Sequence, residues 1–421
     1  MFAYDHLPMH WVGDWLGPWA IRSPTRPAIH DVDHGLTLSY AGLSARVDRV
    51  AAWLQQWLGP EQGQVLALLS RNRLEAIEVG LACARLGLRL APVSHRLPAA
   101  DIARLLARLQ PARVICENRF QSLVNDGAWS SGLTLWHDEN DAHAGLPVPS
   151  SRPQTRPAKP LSDAWLFIHT GGSTGLPKLC RVTYRQMLWN AFELMVVRGG
   201  TRSARDLLTF PLYHIGGWNS VVPILHGGGF LAVTRGFQPE QVLDTLVDQR
   251  INHFGGVEAM FRALQASPRF DRTRLAGVEA VTNAGGPCDP GVMEGFLALG
   301  VPMVQAYGMT EAGPSNFINS ASDKPLEQLQ REAESIGTAM PYTDYRIVDP
   351  ETQAPVESGE TGVLCLRSPH AFDGYLDDAD RTRGIAGRGH RERDAVLPGR
   401  VEPDTERVEL LDERGELLLV G

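Results

Sequence analysis

Cysteine is scarce in this 421-residue chain, and positive charge is not in excess. The five cysteines (Cys83, Cys116, Cys180, Cys288, Cys365) are scattered, odd in number and form no C-x-x-C pair. That pattern excludes a disulfide framework and a thiolate metal site, and reads as small buried hydrophobes in a reducing compartment. Lys and Arg number 40 against 48 Asp and Glu, a formal charge of -8 that argues against a nucleic-acid partner and for small ligands. No apolar run reaches membrane-spanning length, so no membrane insertion is expected. The opening Met1-Phe2-Ala3-Tyr4-Asp5-His6 carries no basic region followed by an apolar one, which predicts a cytoplasmic protein. Hydrophobic residues at 43% and charged ones at 21% exclude wholesale disorder, and the length suffices for several compact units.

What is present is alternation. Val65-Leu66-Ala67-Leu68-Leu69 reads as a buried strand, and Leu74, Ile77, Leu81 and Leu86 as the apolar stripe of the helix after it. Leu90 to Val93 and Val114 to Cys116 suggest strands flanking a helix over Ile102 to Leu109. Five prolines over 141–161 predict an extended connector. Beyond it, Phe230 to Val233, Val278 to Thr282 and Met303 to Tyr307 read as strands, with a helix starting at Pro239. From about Ser335, short strands with Gly, Pro and Asp turns take over, and residues 376–408 are dominated by Asp, Glu, Arg and Gly. The expected class is α/β: two α/β subdomains (1–160 and 161–330) with mostly parallel sheets, plus a small β-rich subdomain (331–421).

The strongest local signal is Thr170-Gly171-Gly172-Ser173-Thr174-Gly175-Leu176-Pro177-Lys178, set after the apolar run Ala164 to Ile168. A buried strand feeding a loop of small residues wraps backbone N–H groups around phosphate oxygens, and the lysine adds a mobile positive charge. A Walker loop is excluded, because Leu176-Pro177 separate the last glycine from the lysine. A flexible surface loop is the plainer alternative.

The pattern T-[SG]-G-[ST]-T-G-x-P-K resembles the signature loop of the AMP-forming adenylating enzymes, among them acyl- and aryl-CoA synthetases, peptide-synthetase adenylation domains and luciferases. Further segments resemble the same family in the same order. Pro211 to Asn219 resembles its P-x-[FY]-H-x-[GA]-G segment. The resemblance implies an acyl pocket at His214, Gly216, Gly217, Trp218 and Asn219, with His214 also a candidate catalytic group. Asn283-Ala284-Gly285-Gly286-Pro287 resembles the turn that contacts adenine and the acyl group, although alone it is an ordinary turn. Ala306-Tyr307-Gly308-Met309-Thr310-Glu311 resembles the Y-G-x-T-E core. There the family places the tyrosine on adenine, the threonine hydroxyl on phosphate and the glutamate on Mg²⁺, roles that suit a ring face, a donor and a hard oxygen ligand. Gly285 and Gly308 are counted towards the acyl pocket as well. Gly359-Glu360-Thr361-Gly362 and Gly374-Tyr375-Leu376 match family segments read as structural turns.

The resemblance implies ATP and Mg²⁺ as cofactors, CoA as co-substrate, and acid–thiol ligation through acyl-AMP. The segment after His214 lacks the Asp with which peptide-synthetase domains hold an amine, so an unaminated, largely apolar acid is expected. Two departures qualify this. The family's ribose-binding G-W-x-x-T-G-D is replaced by Gly399 to Glu406, with Glu406 nearest its Asp. The sequence also stops at Gly421, ahead of the arginine, hinge and lysine-bearing lid of the family, so a large N-terminal part without the lid is expected. The alternatives are a nucleotide or acyl-adenylate binding module, one half of a split ligase completed by a separate lid polypeptide, and a sequence error within 383–408.

Overall fold

The computed structural model describes residues 14–59, 63–124, 132–136, 143, 159–171, 177–319, 321, 324–349, 352, 354–356, 362–380 and 382, and the backbone of strands at 10–11, 394–395, 407–411 and 417–420. Two large sheets organise it. The first runs Lys178–Thr183, Ala164–Thr170, Arg89–Pro92, Val65–Leu69, Arg113–Glu117, Leu133–Trp136, and is parallel except for its first strand. The second has eleven strands. Its parallel centre is Pro27–Asp31, Phe230–Val233, Arg205–Leu208, His253–Gly256, Ala280–Asn283 and Met303–Met309. Antiparallel strands extend it at both edges: Leu36–Ser39 on one side, and Gly313–Ile318, Ser335–Ala339, Leu417–Val420 and Arg407–Leu411 on the other. Asp344–Val348, Val363–Arg367 and Asp394–Ala395 form a separate antiparallel sheet, the expected β-rich part.

Sheet membership does not follow chain order. Pro27–Asp31 joins the second sheet, Ala164–Thr170 joins the first, and Ser335–Ala339 pairs back onto Gly313–Ile318, so pairing crosses residues 160 and 330. The expected connector over 141–161 falls mostly outside the described residues, with Lys159–Pro160 pairing to His10–Trp11. Most of 376–408 also lies outside them.

The layers follow from which face each strand buries. Helix Ala99–Leu109 covers the outer face of the first sheet. Helices Tyr40–Leu58, Leu74–Leu86, Tyr184–Val197 and Ile215–His226 share one core with the inner faces of both sheets. Helices Pro239–Asp248, Glu258–Gln265 and Pro290–Leu297 cover the outer face of the second. Helix Leu74–Leu86 corrects the expected amphipathic stripe: every residue but Arg85 is buried, because apolar layers meet it on opposite sides. Its acids are paired rather than solvated, Glu75 with Arg73 at 2.7 Å and Glu78 with Arg46 and with His143 at 2.6 Å. The strand expected from Val278 starts at Ala280, since the Val278 N–H is taken by a turn bond to Leu275 O.

Trp165 and Trp218 lock the two sheets together. Trp165 Nε1 donates to Gly80 O at 3.0 Å, Trp218 Nε1 donates to Leu212 O at 2.8 Å, and the rings meet edge to face at 5.2 Å. Each buries on the order of 200 Å², a gross transfer gain of about 5 kcal/mol. A Cβ on Gly80 would lie 2.1 Å from the Trp218 ring, so only glycine lets the indole reach this depth.

Candidate active site

The signature loop closes a β-hairpin. Ala164–Thr170 is buried up to its last residue, and Lys178–Thr183 returns antiparallel with Lys178 opposite Thr170. Both ends of the motif are thus held side by side, with Gly171 exposed beyond Thr170. Gly172, Ser173, Thr174 and Gly175 lie outside the described residues, as does Glu406.

The Y-G-x-T-E core reaches this hairpin directly. Glu311 Oε1 accepts from Thr170 Oγ1 at 3.3 Å and from Tyr375 Oη at 2.8 Å. The Lys178 ammonium stands 5.4 Å from the Tyr375 ring centroid, a cation–π contact. Segment Gly374–Leu376 runs along the hairpin edge, with Arg181 N donating to Gly374 O and Leu376 N to Leu179 O. Gln186 Nε2 donates to Thr310 O at 2.7 Å and Phe372 N to Glu311 O at 3.0 Å, fixing the backbone that carries both side chains. One carboxylate, two hydroxyls and one ammonium therefore share a small region at the mouth of the hairpin. The chain has three lysines among 40 basic side chains, and one of them stands here. An ammonium is a compact point charge where arginine is a planar fork.

Tyr307 and Gly308 lie on Met303–Met309, where the register to Gly313–Ile318 shifts between Tyr307 and Met309. A Cβ on Gly308 would fall 2.3 Å from Pro314 O, so the two backbones touch there. Ala306 pairs with Ile318, and the half-buried Tyr307 ring packs edge to face on Phe317 at 6.1 Å. Gly285, Gly286 and Pro287 are exposed at the C-terminal end of Ala280–Asn283, with Gly285 at φ +85. Asn283 Nδ2 donates to Gly286 O at 2.7 Å, and Gln305 Oε1 accepts from Cys288 N at 3.1 Å, tying this turn to the strand that carries Tyr307.

His214 stands at the N-cap position of helix Ile215–His226 without a side-chain capping bond, and is exposed; its ring lies 4.9 Å from Tyr213 and 6.2 Å from His169. Shielding of the ring and then the Arg96 charge push its pKa below the usual histidine value. Gly216 is half-buried, while a Cβ on Gly217 would meet Pro211 O at 2.6 Å. Asn219 Nδ2 donates to Ser315 Oγ at 2.9 Å, linking this helix to Gly313–Ile318. Trp218 departs from the expected acyl-pocket wall: it is fully buried in the core between the sheets, because its position on the helix faces Gly80 and Trp165.

Sequence reasoning missed Tyr375 and His169. Tyr375 sat in a recognised segment read as a turn, and its contact with Glu311 spans 64 residues of chain. His169 precedes Thr170 and is buried, with Nε2 accepting from Ser94 N at 3.0 Å. That bond requires a lone pair on Nε2 and so a neutral ring protonated at Nδ1. Burial, then the neighbouring His214, lowers its pKa to about 4. Cys180, beneath Glu311, has its thiol raised well above the usual range by burial and by that carboxylate, so it stays protonated.

Two stacked sheets with a signature hairpin at their junction define an α/β enzyme of the adenylate-forming kind. The chain belongs to the AMP-binding enzyme family, whose sequence profile matches residues 18–376. It is 30% identical over 380 residues to a feruloyl-CoA synthase from Amycolatopsis sp, covering 89% of this chain and 74% of that protein. It is 28% identical to an indoleacetate–CoA ligase from Aromatoleum aromaticum, covering 90% and 74%. It shares its fold with ATP-bound MatB from Rhodopseudomonas palustris (TM-score 0.82, 22% identity, 97% of this chain and 78% of that one). The N-terminal domain of FACL13 from Mycobacterium tuberculosis also matches, at TM-score 0.84 and 22% identity, covering 98% and 100%. Among the described residues no helix is long and apolar enough to cross a membrane.

Proposed function

We propose that this chain activates a carboxylic acid with ATP and then forms its CoA thioester. A carboxylate oxygen attacks the α-phosphorus and the α–β P–O bond breaks, releasing pyrophosphate. The CoA sulfur then attacks the acyl carbon, AMP leaves, and the thiol proton passes to solvent. The observation that carries this reading is the Thr170–Glu311–Tyr375–Lys178 cluster, which joins two distant motifs at the mouth of one hairpin. In this reading Lys178 and the amides of 171–175 hold the phosphates, Thr310 donates to them, Tyr307 and Gly285–Pro287 face the adenine, and His214 and Gly216 border the acid. Glu311 fits Mg²⁺, which favours one or two carboxylates with the remaining oxygens from phosphate and water; when bound, the ion neutralises phosphate charge. The names of the relatives, ferulate and indoleacetate among them, favour an aromatic acid.

The test is ATP–pyrophosphate exchange over a panel of aromatic and fatty acids, with wild type and Lys178→Ala. Exchange with at least one acid, reduced about a hundredfold in the variant, is expected. Mass-spectrometric amine labelling, read at the three lysines Lys159, Lys178 and Lys324, gives a second readout. ATP should shield Lys178 and leave Lys324, held 2.6 Å from Glu332, unchanged. No exchange with any acid, together with Lys178 labelled equally with and without ATP, would overturn the reading.

A further inference from the structure

Phe210 lies four residues before His214, at the exit of strand Arg205–Leu208. Its ring fills a slot between two glycines of different elements. An ideal Cβ on Gly216, in the first turn of helix Ile215–His226, would sit 3.4 Å from the Cγ and Cδ1 edge of the ring. One on Gly255, in strand His253–Gly256, would sit 2.8 Å from Cε2 on the opposite edge. A side chain at Gly255 would evict the ring, whereas one at Gly216 would only touch it. The slot is therefore formed by absent side chains and occupied by one aromatic.

The backbone around the ring is clamped. Asn72 donates through Nδ2 to Phe210 O at 2.9 Å and accepts from Leu212 N at 2.9 Å through Oδ1. Thr209 Oγ1 donates to Gly255 O, fastening the strand end to the strand that forms the far wall. His214 N closes the following turn on Pro211 O at 3.0 Å. Yet the Phe210 side chain is only half-buried, unlike Trp218, Leu212 and Tyr213 around it. A large apolar ring seated between two glycines and only half-buried fits a wall for an apolar ligand better than core filling.

We propose that Phe210 is the depth stop of the acid-binding pocket: it closes the space between Gly216 and Gly255 and limits the acid to a short or single-ring body. The inference rests on the acid-activating reading above and names the residue that sets the size of its substrate. Deleting the ring joins a ring-sized volume to the pocket and admits a longer acid. Each methylene accommodated in an apolar pocket changes kcat/KM by about tenfold or more, so a ring-sized space moves the length cut-off visibly.

The experiment compares wild type, Phe210→Ala and Phe210→Leu on two homologous series, straight-chain acids and ω-phenylalkanoic acids of increasing length. Thioester formation gives kcat/KM, and calorimetry with the matching non-hydrolysable acyl-sulfamoyl adenosines gives affinity without turnover. The ratio of long-acid to short-acid kcat/KM should rise about tenfold or more in Phe210→Ala, with Phe210→Leu between. Should Phe210→Ala not fold, Phe210→Leu carries the comparison, since it keeps an apolar filler of shorter reach. An unchanged length profile in a folded variant that still binds the adenosine analogues overturns the depth stop and leaves the acid-activating reading standing. Failure of wild type to bind any acyl analogue removes that reading, and the depth stop with it.

Discussion

Lowering the pH should destabilise the protein through one buried imidazole, His169. Its folded pKa lies at about 4 against an ordinary 6.5, because burial and then the neighbouring His214 oppose the charge. The unfolded chain therefore binds this proton first. Stability attributable to His169 is intact above the unfolded pKa, falls as pH drops through 6.5, and levels off below about 4. The full difference is about 3 kcal/mol, of which about 2 kcal/mol is already lost at about pH 5. His95, His214, His226 and His253 are shifted in the same direction, so the wild-type slope alone does not isolate His169. His169→Gln does, since its amide oxygen keeps an acceptor for Ser94 N–H and does not titrate. Urea unfolding of both proteins, followed by tryptophan fluorescence at about pH 7.5, 6 and 5, gives the difference as a function of pH. Wild type should lose about 2 kcal/mol relative to the variant across that range. A pH-independent difference would refute the lowered pKa.

Two further substitutions test the packing and the site. Gly80→Ala should destabilise by about 1–3 kcal/mol, although alanine alone favours a helix interior by about 1 kcal/mol, because its Cβ would overlap the Trp218 ring at 2.1 Å. Combining it with Trp218→Phe should recover part of that loss, and a Gly80→Ala protein more stable than wild type in urea would refute the contact. Tyr375→Phe keeps the ring beside Lys178 but removes the donor to buried Glu311 at 2.8 Å. It should lower stability by about 1–3 kcal/mol and weaken ATP binding measured with Mg²⁺ present; values matching wild type in both assays would show that this bond contributes nothing.

Local pattern carried far along this chain. Strands Val65–Leu69 and Phe230–Val233 occur where continuous apolar runs place them, since a strand buried on both faces admits no alternation. Helix Pro239–Asp248 starts at its proline, where a missing N–H and a fixed φ are tolerated. The signature loop was legible as a family motif because small residues, a preceding buried strand and a terminal lysine stand together in a pattern recognisable before any contact is known. Helix Leu74–Leu86 was legible as a helix but not as a wholly buried one, because Glu75 and Glu78 look solvated until Arg73 and Arg46 are found beside them.

Residue types, local periodicity and the order of motifs were thus determined by the sequence itself, and they sufficed for the α/β class and the family. Tertiary structure alone decided which residues meet. It put Lys178 opposite Thr170, brought Tyr375 to Glu311 across 64 residues and Thr170 to Glu311 across 141, and sent Pro27–Asp31 into the sheet of Phe230–Val233. It also moved Trp218 from an expected pocket wall into the core and set Phe210 in the slot beside Gly216. The reason is physical. Backbone preference and hydrophobic period act over a few residues, whereas these contacts follow from how two sheets bury their faces against four shared helices, a solution reached only by the whole chain at once.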